Sequence, residues 1–87
     1  MREIRILWVD DEIGVLRSHI LFLNERGFGT DTCQSGNDAI NMVREKAYDI
    51  IFLDEHMPGL SGIETLRRIK AIRPTIPVVM ITKSEEE

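Results

Sequence analysis

Acidic and hydroxyl side chains stand at the ends of three apolar stretches of this 87-residue chain. Asp10 and Asp11 follow the run ILWV, Asp54 follows IIFL, and Thr82 follows PVVMI. Short apolar runs of this kind are typical of strands that are buried on both faces of a sheet. Ligands of open parallel sheets bind outside the carboxyl ends of the strands, so these four residues are candidates for one site.

The chemistry expected of such a site is metal-assisted. Three carboxylates at one sheet edge repel one another, by up to a few kcal/mol per close pair at an effective dielectric constant of about 20. A hard divalent cation offsets that repulsion, and an all-oxygen site that keeps several waters is typical of Mg²⁺, with Mn²⁺ as a substitute. Carboxylate-bound Mg²⁺ is in turn a usual partner of phosphoryl groups. A single strand-end acid often marks only the exit into solvent, but three such ends together favour a site.

Asp54 is the candidate nucleophile for a phosphoryl group. It stands alone at the end of its strand, and the turn formed by Met57, Pro58 and Gly59 directs the chain away from it. Asp10 and Asp11 are adjacent in sequence, which suits a pair that holds a metal ion.

The elements that position these residues follow from the spacing of the apolar side chains. Strands are predicted over residues 4–9, 28–33, 49–53 and 77–82. Helices are predicted over residues 13–26, from the capping pattern at 35–38 to about 47, and from the capping box at 61–64 to 73, before Pro74. Residues 84–87 are typical of the first turn of a further helix.

Strands and helices therefore alternate along the chain. The connections are too short for anything but right-handed crossovers, so the predicted fold is an open parallel α/β sheet in one domain. A hydrophobic content of 43% and a charged content of 30% agree with one small globular domain.

Composition also excludes several classes of protein. No apolar run approaches the ~20 residues that span a bilayer, and the charged N-terminus does not resemble a signal peptide, so we expect a cytoplasmic protein without a membrane partner. Fifteen acidic against eleven basic residues give a net charge of −4, which disfavours direct nucleic-acid binding. The single cysteine, Cys33, is interpreted as a small apolar residue in a strand.

Three motifs of the chain resemble the receiver domain of two-component response regulators. These motifs are ILWVDDE, IIFLDEHMPGLSGIETLRRIK and IPVVMIT, and the resemblance runs with consistent spacing from residue 4 to the last residue. It implies a flavodoxin-like, CheY-like fold with strand order 2-1-3-4-5. It also implies that a sensor histidine kinase phosphorylates Asp54.

The same resemblance implies a role for each matching residue. Asp10 and Asp11 would hold Mg²⁺ together with Asp54, with Asp11 as a direct ligand and Asp10 acting through water. The backbone carbonyl of His56 would complete the protein ligands. Thr82 would be the switch hydroxyl that moves to meet the phosphoryl oxygen.

The sequence also departs from the family pattern. It stops at Glu87, before the fifth strand with its lysine and the last two helices, so we expect residues 1–87 to form an incomplete receiver with strand order 2-1-3-4. Lys83 follows Thr82 where the family has a small residue. It either screens the acidic pocket, narrows access to it, or is a solvated loop lysine. His56 either positions or blocks water at the acceptor, or is a surface histidine.

The segments MREIRILWVDDE, LDEHMPG and MITK are similar to PorX-type regulators of Bacteroidetes. In those proteins the receiver precedes a PglZ domain of the alkaline-phosphatase superfamily. The cognate kinase, the output domain and the regulated process are not identified by the sequence.

Two other functions remain open. One is a Mg²⁺-dependent phosphohydrolase that turns over an aspartyl phosphate, although haloacid-dehalogenase-like enzymes have a second Asp where this chain has His56. The other is a vestigial receiver that acts as an assembly module. For any of these functions, the bare fourth-strand edge and the apolar faces left uncovered without the fifth strand and last two helices predict a homodimer or a larger oligomer.

Overall fold

The computed structural model describes residues 3–82, which form four strands and three α-helices. Strands β1 to β4 span Ile4–Val9, Phe28–Cys33, Ile50–Asp54 and Val78–Ile81; helices α1 to α3 span Arg17–Glu25, Gly36–Glu45 and Gly62–Ile72; and a 3-10 helix, Ile13–Leu16, precedes α1. Each strand lies within one residue of its predicted limits. The helix predicted from residue 84 and the residue Lys83 lie outside the described residues.

The four strands form one parallel sheet in the order β2-β1-β3-β4, which confirms the predicted order. The central strands β1 and β3 are in register, with Val9 opposite Leu53, and Asp54 lies opposite Ile81 of β4. The ladder continues past the strand ends, because the Asp10 amide donates to the Cys33 carbonyl. The residues that follow β1, β3 and β4 therefore emerge side by side at one edge of the sheet.

The main hydrophobic core lies between the sheet and the pair α2 and α3. Side chains at alternate positions of the two central strands point into it because successive residues of a strand face opposite sides. Its buried members are Leu7, Val9, Cys33, Ala39, Ile40, Val43, Ile51, Leu53, Met57, Ile69 and Ile76. Burial raises the pKa of the Cys33 thiol to about 11, which agrees with the prediction of an apolar role for this cysteine.

The opposite face of the sheet is less covered. Trp8 of β1 and Phe52 of β3 are neighbours there, with their rings 4.9 Å apart, and α1 packs beside them. No residue of α1 is fully buried. A groove of about 320 Å³ remains between α1 and the sheet, lined by Trp8, Ser18, His19, Phe22, Leu23 and Phe52.

Two details of the predicted helices were wrong. The segment predicted as one helix over residues 13–26 begins as a 3-10 turn, and neither this turn nor α1 has a side-chain cap. Such turns are common at helix N-termini, and Gly14 lowers the helical preference here. In α3, the helical spacing of Ile63, Leu66, Ile69 and Ile72 predicts one apolar face toward the core, but Ile63 is 49% exposed. The buried stripe is instead formed by Gly62, Thr65 and Ile69.

Candidate functional site

Three carboxylates meet at the carboxyl edge of the sheet. One oxygen from each of Asp10, Asp11 and Asp54 lies within 4.8 Å of the others. The side chains of Asp10 and Asp54 are buried, with 1% and 0% exposure, and Asp11 is half-buried. These three residues thus lie together, as predicted from their positions at the strand ends, because the parallel strands β1 and β3 are neighbours in register.

Backbone amides orient two of the three carboxylates. The Glu12 amide donates to Asp10 Oδ1 at 2.8 Å, and the His56 amide donates to Asp54 Oδ1 at 3.1 Å. Both bonds reach two residues along the chain, as in the turns that Asp commonly forms with its own backbone. The carboxylates of Asp10 and Asp54 are therefore held in place by local loop structure that begins where the strand ends.

The loop after Asp54 is shaped by a proline and a glycine. Pro58 and Gly59 lie in the turn, and Gly59 has φ +80°, a value that glycine adopts without strain and that a turn of the Pro-Gly type requires. Met57 is 9% exposed and belongs to the core, so it anchors the loop. The chain thereby leaves the sheet directly after the acceptor candidate, as the sequence predicted.

Gly62 lets helix α3 approach the end of β3 closely. A Cβ at this position would lie 2.5 Å from the carbonyl oxygen of Asp54 and 2.8 Å from Cα of Glu55, which is closer than real Cβ atoms come. The Gly62 amide donates to the Glu55 carbonyl at 3.3 Å. Gly62 was not among the residues predicted for the site. A glycine directly after the capping residue Ser61 was the available signal, since glycine is costly inside a helix.

Glu55 is a second residue at this sheet edge that was not predicted from the sequence. Its Oε1 accepts a hydrogen bond from the Thr82 hydroxyl at 2.9 Å, and its amide donates to the Ile81 carbonyl at 3.0 Å. The predicted switch hydroxyl thus lies at the same sheet edge as the acidic cluster and contacts a fourth acid there. A bond between residues 27 positions apart leaves no local signal in the sequence.

The side chains of His56 and of the described lysines contact groups other than the three clustered carboxylates. The His56 side chain is 73% exposed, and its Nε2 lies 4.0 Å from Glu55 Oε1. Of the two lysines within residues 3–82, Lys46 contacts Asp31 and Lys70 donates to the Ile76 carbonyl. These two cations are therefore engaged away from the strand-end acids.

The donor set fits a hard divalent cation. Magnesium binds oxygen ligands at about 2.1 Å, so ligands on opposite sides of the ion are about 4.2 Å apart. The carboxylate oxygens here lie within 4.8 Å of one another, a spacing that suits an ion bound partly through water. At this separation the repulsion between two carboxylates is roughly 3 kcal/mol at a dielectric constant of about 20, which a cation would offset.

The fold and the acidic sheet edge together define the CheY-like class of α/β proteins. The sequence model of the family described as "Response regulator receiver domain" matches residues 6–87, nearly the whole chain. The chain belongs to this family of response regulator receiver domains, which are signalling domains of two-component systems.

Curated relatives are longer than this chain. The transcriptional regulatory protein ResD of Bacillus subtilis is 39% identical over 85 residues, which cover 98% of this chain and 35% of ResD. The transcriptional regulatory protein ZraR of Salmonella typhimurium is 38% identical over 80 residues, which cover 92% of this chain and 18% of ZraR. The chain thus spans about a third of the first relative and less than a fifth of the second.

Solved structures agree with the fold. The receiver domain protein from Methanospirillum hungatei has a TM-score of 0.90 at 22% identity, and the alignment covers 98% of this chain and 68% of that one. The response regulator TrrA from Thermotoga maritima, solved in complex with Mg(2+)-BeF, has a TM-score of 0.85 at 32% identity, with 94% and 71% covered. Within residues 3–82, no helix combines the length and the apolar character needed to cross a membrane.

Proposed function

We propose that this chain is the phosphoacceptor receiver of a two-component response regulator, with Asp54 as the residue that accepts a phosphoryl group from a sensor histidine kinase. The observation that carries the proposal is the buried Asp54 carboxylate at the end of a central strand, grouped with Asp10 and Asp11. Membership of the receiver family and the structural similarity to TrrA in its Mg(2+)-BeF complex support it.

Asp10, Asp11, Asp54 and the backbone carbonyl of His56 would hold Mg²⁺, or Mn²⁺ in its place. The bound cation would neutralise charge on the phosphoryl oxygens and on the attacking carboxylate. The fit rests on the all-oxygen donor set and on the spacing of the three carboxylates.

The chain's own residues supply the nucleophile and its orientation. An oxygen of Asp54 attacks phosphorus, the bond from phosphorus to the donor's leaving group breaks, and the leaving group takes the electron pair. The His56 amide fixes the plane of the carboxylate through Oδ1, so the attacking group needs little reorganisation. Thr82, at the end of the neighbouring strand, is the hydroxyl that we propose donates to a phosphoryl oxygen after transfer.

The test is a phosphorylation assay on the chain itself. Incubation with Mg²⁺ and a small acyl phosphate donor, followed by intact-mass measurement, should give a single phosphoryl adduct. Asp54→Asn should abolish the adduct, whereas Asp31→Asn, a matched change at an aspartate of β2, should leave it in place. An adduct that persists in Asp54→Asn would contradict the assignment.

The same assay separates the alternative functions. Continuous release of phosphate, with no adduct accumulating, would favour a Mg²⁺-dependent aspartyl-phosphate phosphohydrolase. Neither an adduct nor phosphate release would favour a vestigial receiver that serves as an assembly module. The proposed function predicts an adduct that forms once and decays slowly.

We also propose that the 87-residue chain associates with itself. Exposed apolar side chains lie on the groove beside α1 and on β4, where Phe22 is 52% and Val79 is 42% exposed. Within the described residues, β4 pairs with β3 alone, so its outer edge offers backbone groups to a second copy. The negative net charge favours a protein partner over nucleic acid.

Light scattering at tens of micromolar should give at least twice the monomer mass. Val79→Lys places a charge on the β4 edge and Phe22→Gln makes the groove more polar, so at least one should lower the mass. A monomeric wild-type chain would contradict self-association without affecting the phosphoacceptor assignment. The output domain, the PorX-type assignment and the incomplete C-terminal part of the receiver stay predictions.

A further inference from the structure

Glu55 and Thr82 are linked across the ends of two neighbouring strands. The Thr82 hydroxyl donates to Glu55 Oε1 at 2.9 Å, and the ladder between β3 and β4 extends to the Glu55 amide. On the other side, the Glu55 carbonyl accepts from the Gly62 amide. The backbone of Glu55 is thus held from both sides, and this places its carboxylate beside Thr82.

A threonine hydroxyl has one proton to donate. While that proton is bonded to Glu55, it cannot be bonded to a phosphoryl oxygen on Asp54. The two acceptors, Glu55 and the phosphoryl group, therefore compete for the same hydroxyl.

We propose that Glu55 is a positioning residue that holds the Thr82 hydroxyl in the unphosphorylated state. The strength of this hydrogen bond sets the free energy that phosphorylation must supply to move the hydroxyl. This inference rests on the proposed role of Asp54 as the acceptor. The bond to Glu55 opposes the movement of Thr82. Without this bond, the hydroxyl would be free to donate to the phosphoryl group as soon as that group is present. In such a two-state element, the ligand shifts the equilibrium only by the difference in its interactions with the two states.

The first test measures the affinity of beryllofluoride, a phosphoryl mimic, in the presence of Mg²⁺, by ¹⁹F NMR. Glu55→Ala removes the competing acceptor and should raise the affinity about threefold to tenfold, the range expected for one exposed hydrogen bond. Glu55→Gln keeps an oxygen that can accept from Thr82, and it should bring the affinity back toward the wild-type value.

A charge control separates this effect from simple electrostatics. Removing any acid near an anion site strengthens anion binding, so Glu12→Gln, an exposed acid just after β1, measures that contribution. The gain in Glu55→Ala should exceed the gain in Glu12→Gln. In a Thr82→Val background, Glu55→Ala should raise the affinity no more than Glu12→Gln does, because Glu55 and Thr82 act through one bond and only the charge effect is left.

The second test examines the resting state without beryllofluoride. Side-chain couplings of Thr82 in NMR should report one dominant rotamer in the wild type and in Glu12→Gln, and averaging in Glu55→Ala. A residue that only stabilised the fold would not change this rotamer population.

The outcomes distinguish the inference from the function on which it rests. If the wild type binds no beryllofluoride, the phosphoacceptor assignment fails and the inference fails with it. If the wild type binds and Asp54→Asn does not, the function stands. In that case, equal affinities for Glu55→Ala and Glu12→Gln, or an unchanged Thr82 rotamer, would overturn the role of Glu55.

Discussion

Two acidic regions of this molecule place negative charge in opposite surroundings: one groups carboxylates together, and the other surrounds a carboxylate with hydrogen-bond donors. At the carboxyl edge of the sheet, Asp10, Asp11 and Asp54 lie within 4.8 Å of one another. On β2, Asp31 is surrounded by donors: Oδ2 accepts from the Tyr48 hydroxyl at 2.6 Å and from Lys46 Nζ at 3.3 Å. Arg5 Nη2 approaches the same oxygen at 3.4 Å.

The two regions differ in whether the negative charge stabilises or destabilises the folded chain. Asp31 joins β1, β2 and the segment after α2 through its own hydrogen bonds, so its charge stabilises the folded chain. Backbone amides orient Asp10 and Asp54, and both lie close to each other and to Asp11, so the repulsion among these carboxylates opposes folding. We therefore expect substitutions in the two regions to change stability with opposite sign.

The largest expected effect is a gain in stability at the strand-end cluster. Asp10→Asn removes one buried charge yet keeps an oxygen that can accept from the Glu12 amide. Without divalent metal, at pH 7, the free energy of unfolding should rise by about 3 kcal/mol, the repulsion of one close pair. Urea unfolding in the presence of EDTA measures this change. A loss of stability would show that this carboxylate contributes to the fold as Asp31 does.

The next effect is stabilisation by Mg²⁺. An ion that binds only the folded chain raises the free energy of unfolding by about 2.7 kcal/mol at 100 times its dissociation constant. Asp11→Asn should remove most of this gain, whereas Asp31→Asn should keep it. Urea unfolding with and without Mg²⁺ tests both variants. Equal Mg²⁺ responses in the two variants would argue against a metal site at the sheet edge.

The strand-end cluster could be predicted from the sequence, but the contacts of Asp31 could not. The strand-end cluster was predictable because each apolar run ends on its acid or hydroxyl, and parallel strands bring those ends together. The Asp31 contacts join residues 17 and 26 positions apart, and no periodicity indicates which polar residues of an edge strand will meet a cation. The exposure of Ile63 was missed for a related reason, since packing of α3 against α2 and the sheet decides the phase of the helix.

Asp31→Asn should destabilise the folded chain by about 1.5 kcal/mol at pH 7, because hydrogen bonds to a charged group lose strength when the charge is removed. The Tyr48 hydrogen bond, with Lys46 and Arg5 nearby, holds the pKa of the Asp31 carboxyl below its ordinary value, although burial acts in the opposite direction.

A lowered pKa in the folded state contributes stability above the unfolded value of about 3.9, and this contribution is lost as the pH falls through the folded value. The difference between wild type and Asp31→Asn should therefore shrink below about pH 4. Urea unfolding at several pH values measures it, and a difference that stays constant down to low pH would mean that the charge of Asp31 contributes nothing.

The smallest effect is expected at the phenol that faces Asp31. Tyr48→Phe removes the donor and should cost about 1 kcal/mol at pH 7. Burial first, and then the hydrogen bond to Asp31, raise the pKa of the Tyr48 phenol. With a raised folded value, the contribution is present below the unfolded pKa of about 10 and is lost as the pH rises, because the unfolded chain ionises first.

Wild type should thus lose stability relative to Tyr48→Phe above about pH 10. Tyr48 is the one tyrosine of the chain, so ultraviolet absorbance of the phenolate follows it directly. In Asp31→Asn the phenol should ionise at a lower pH than in the wild type but at a higher pH than a solvated tyrosine, because burial remains when the carboxylate charge is gone. If the phenol ionises at the same pH in both proteins, Asp31 has no influence on the ionisation of Tyr48.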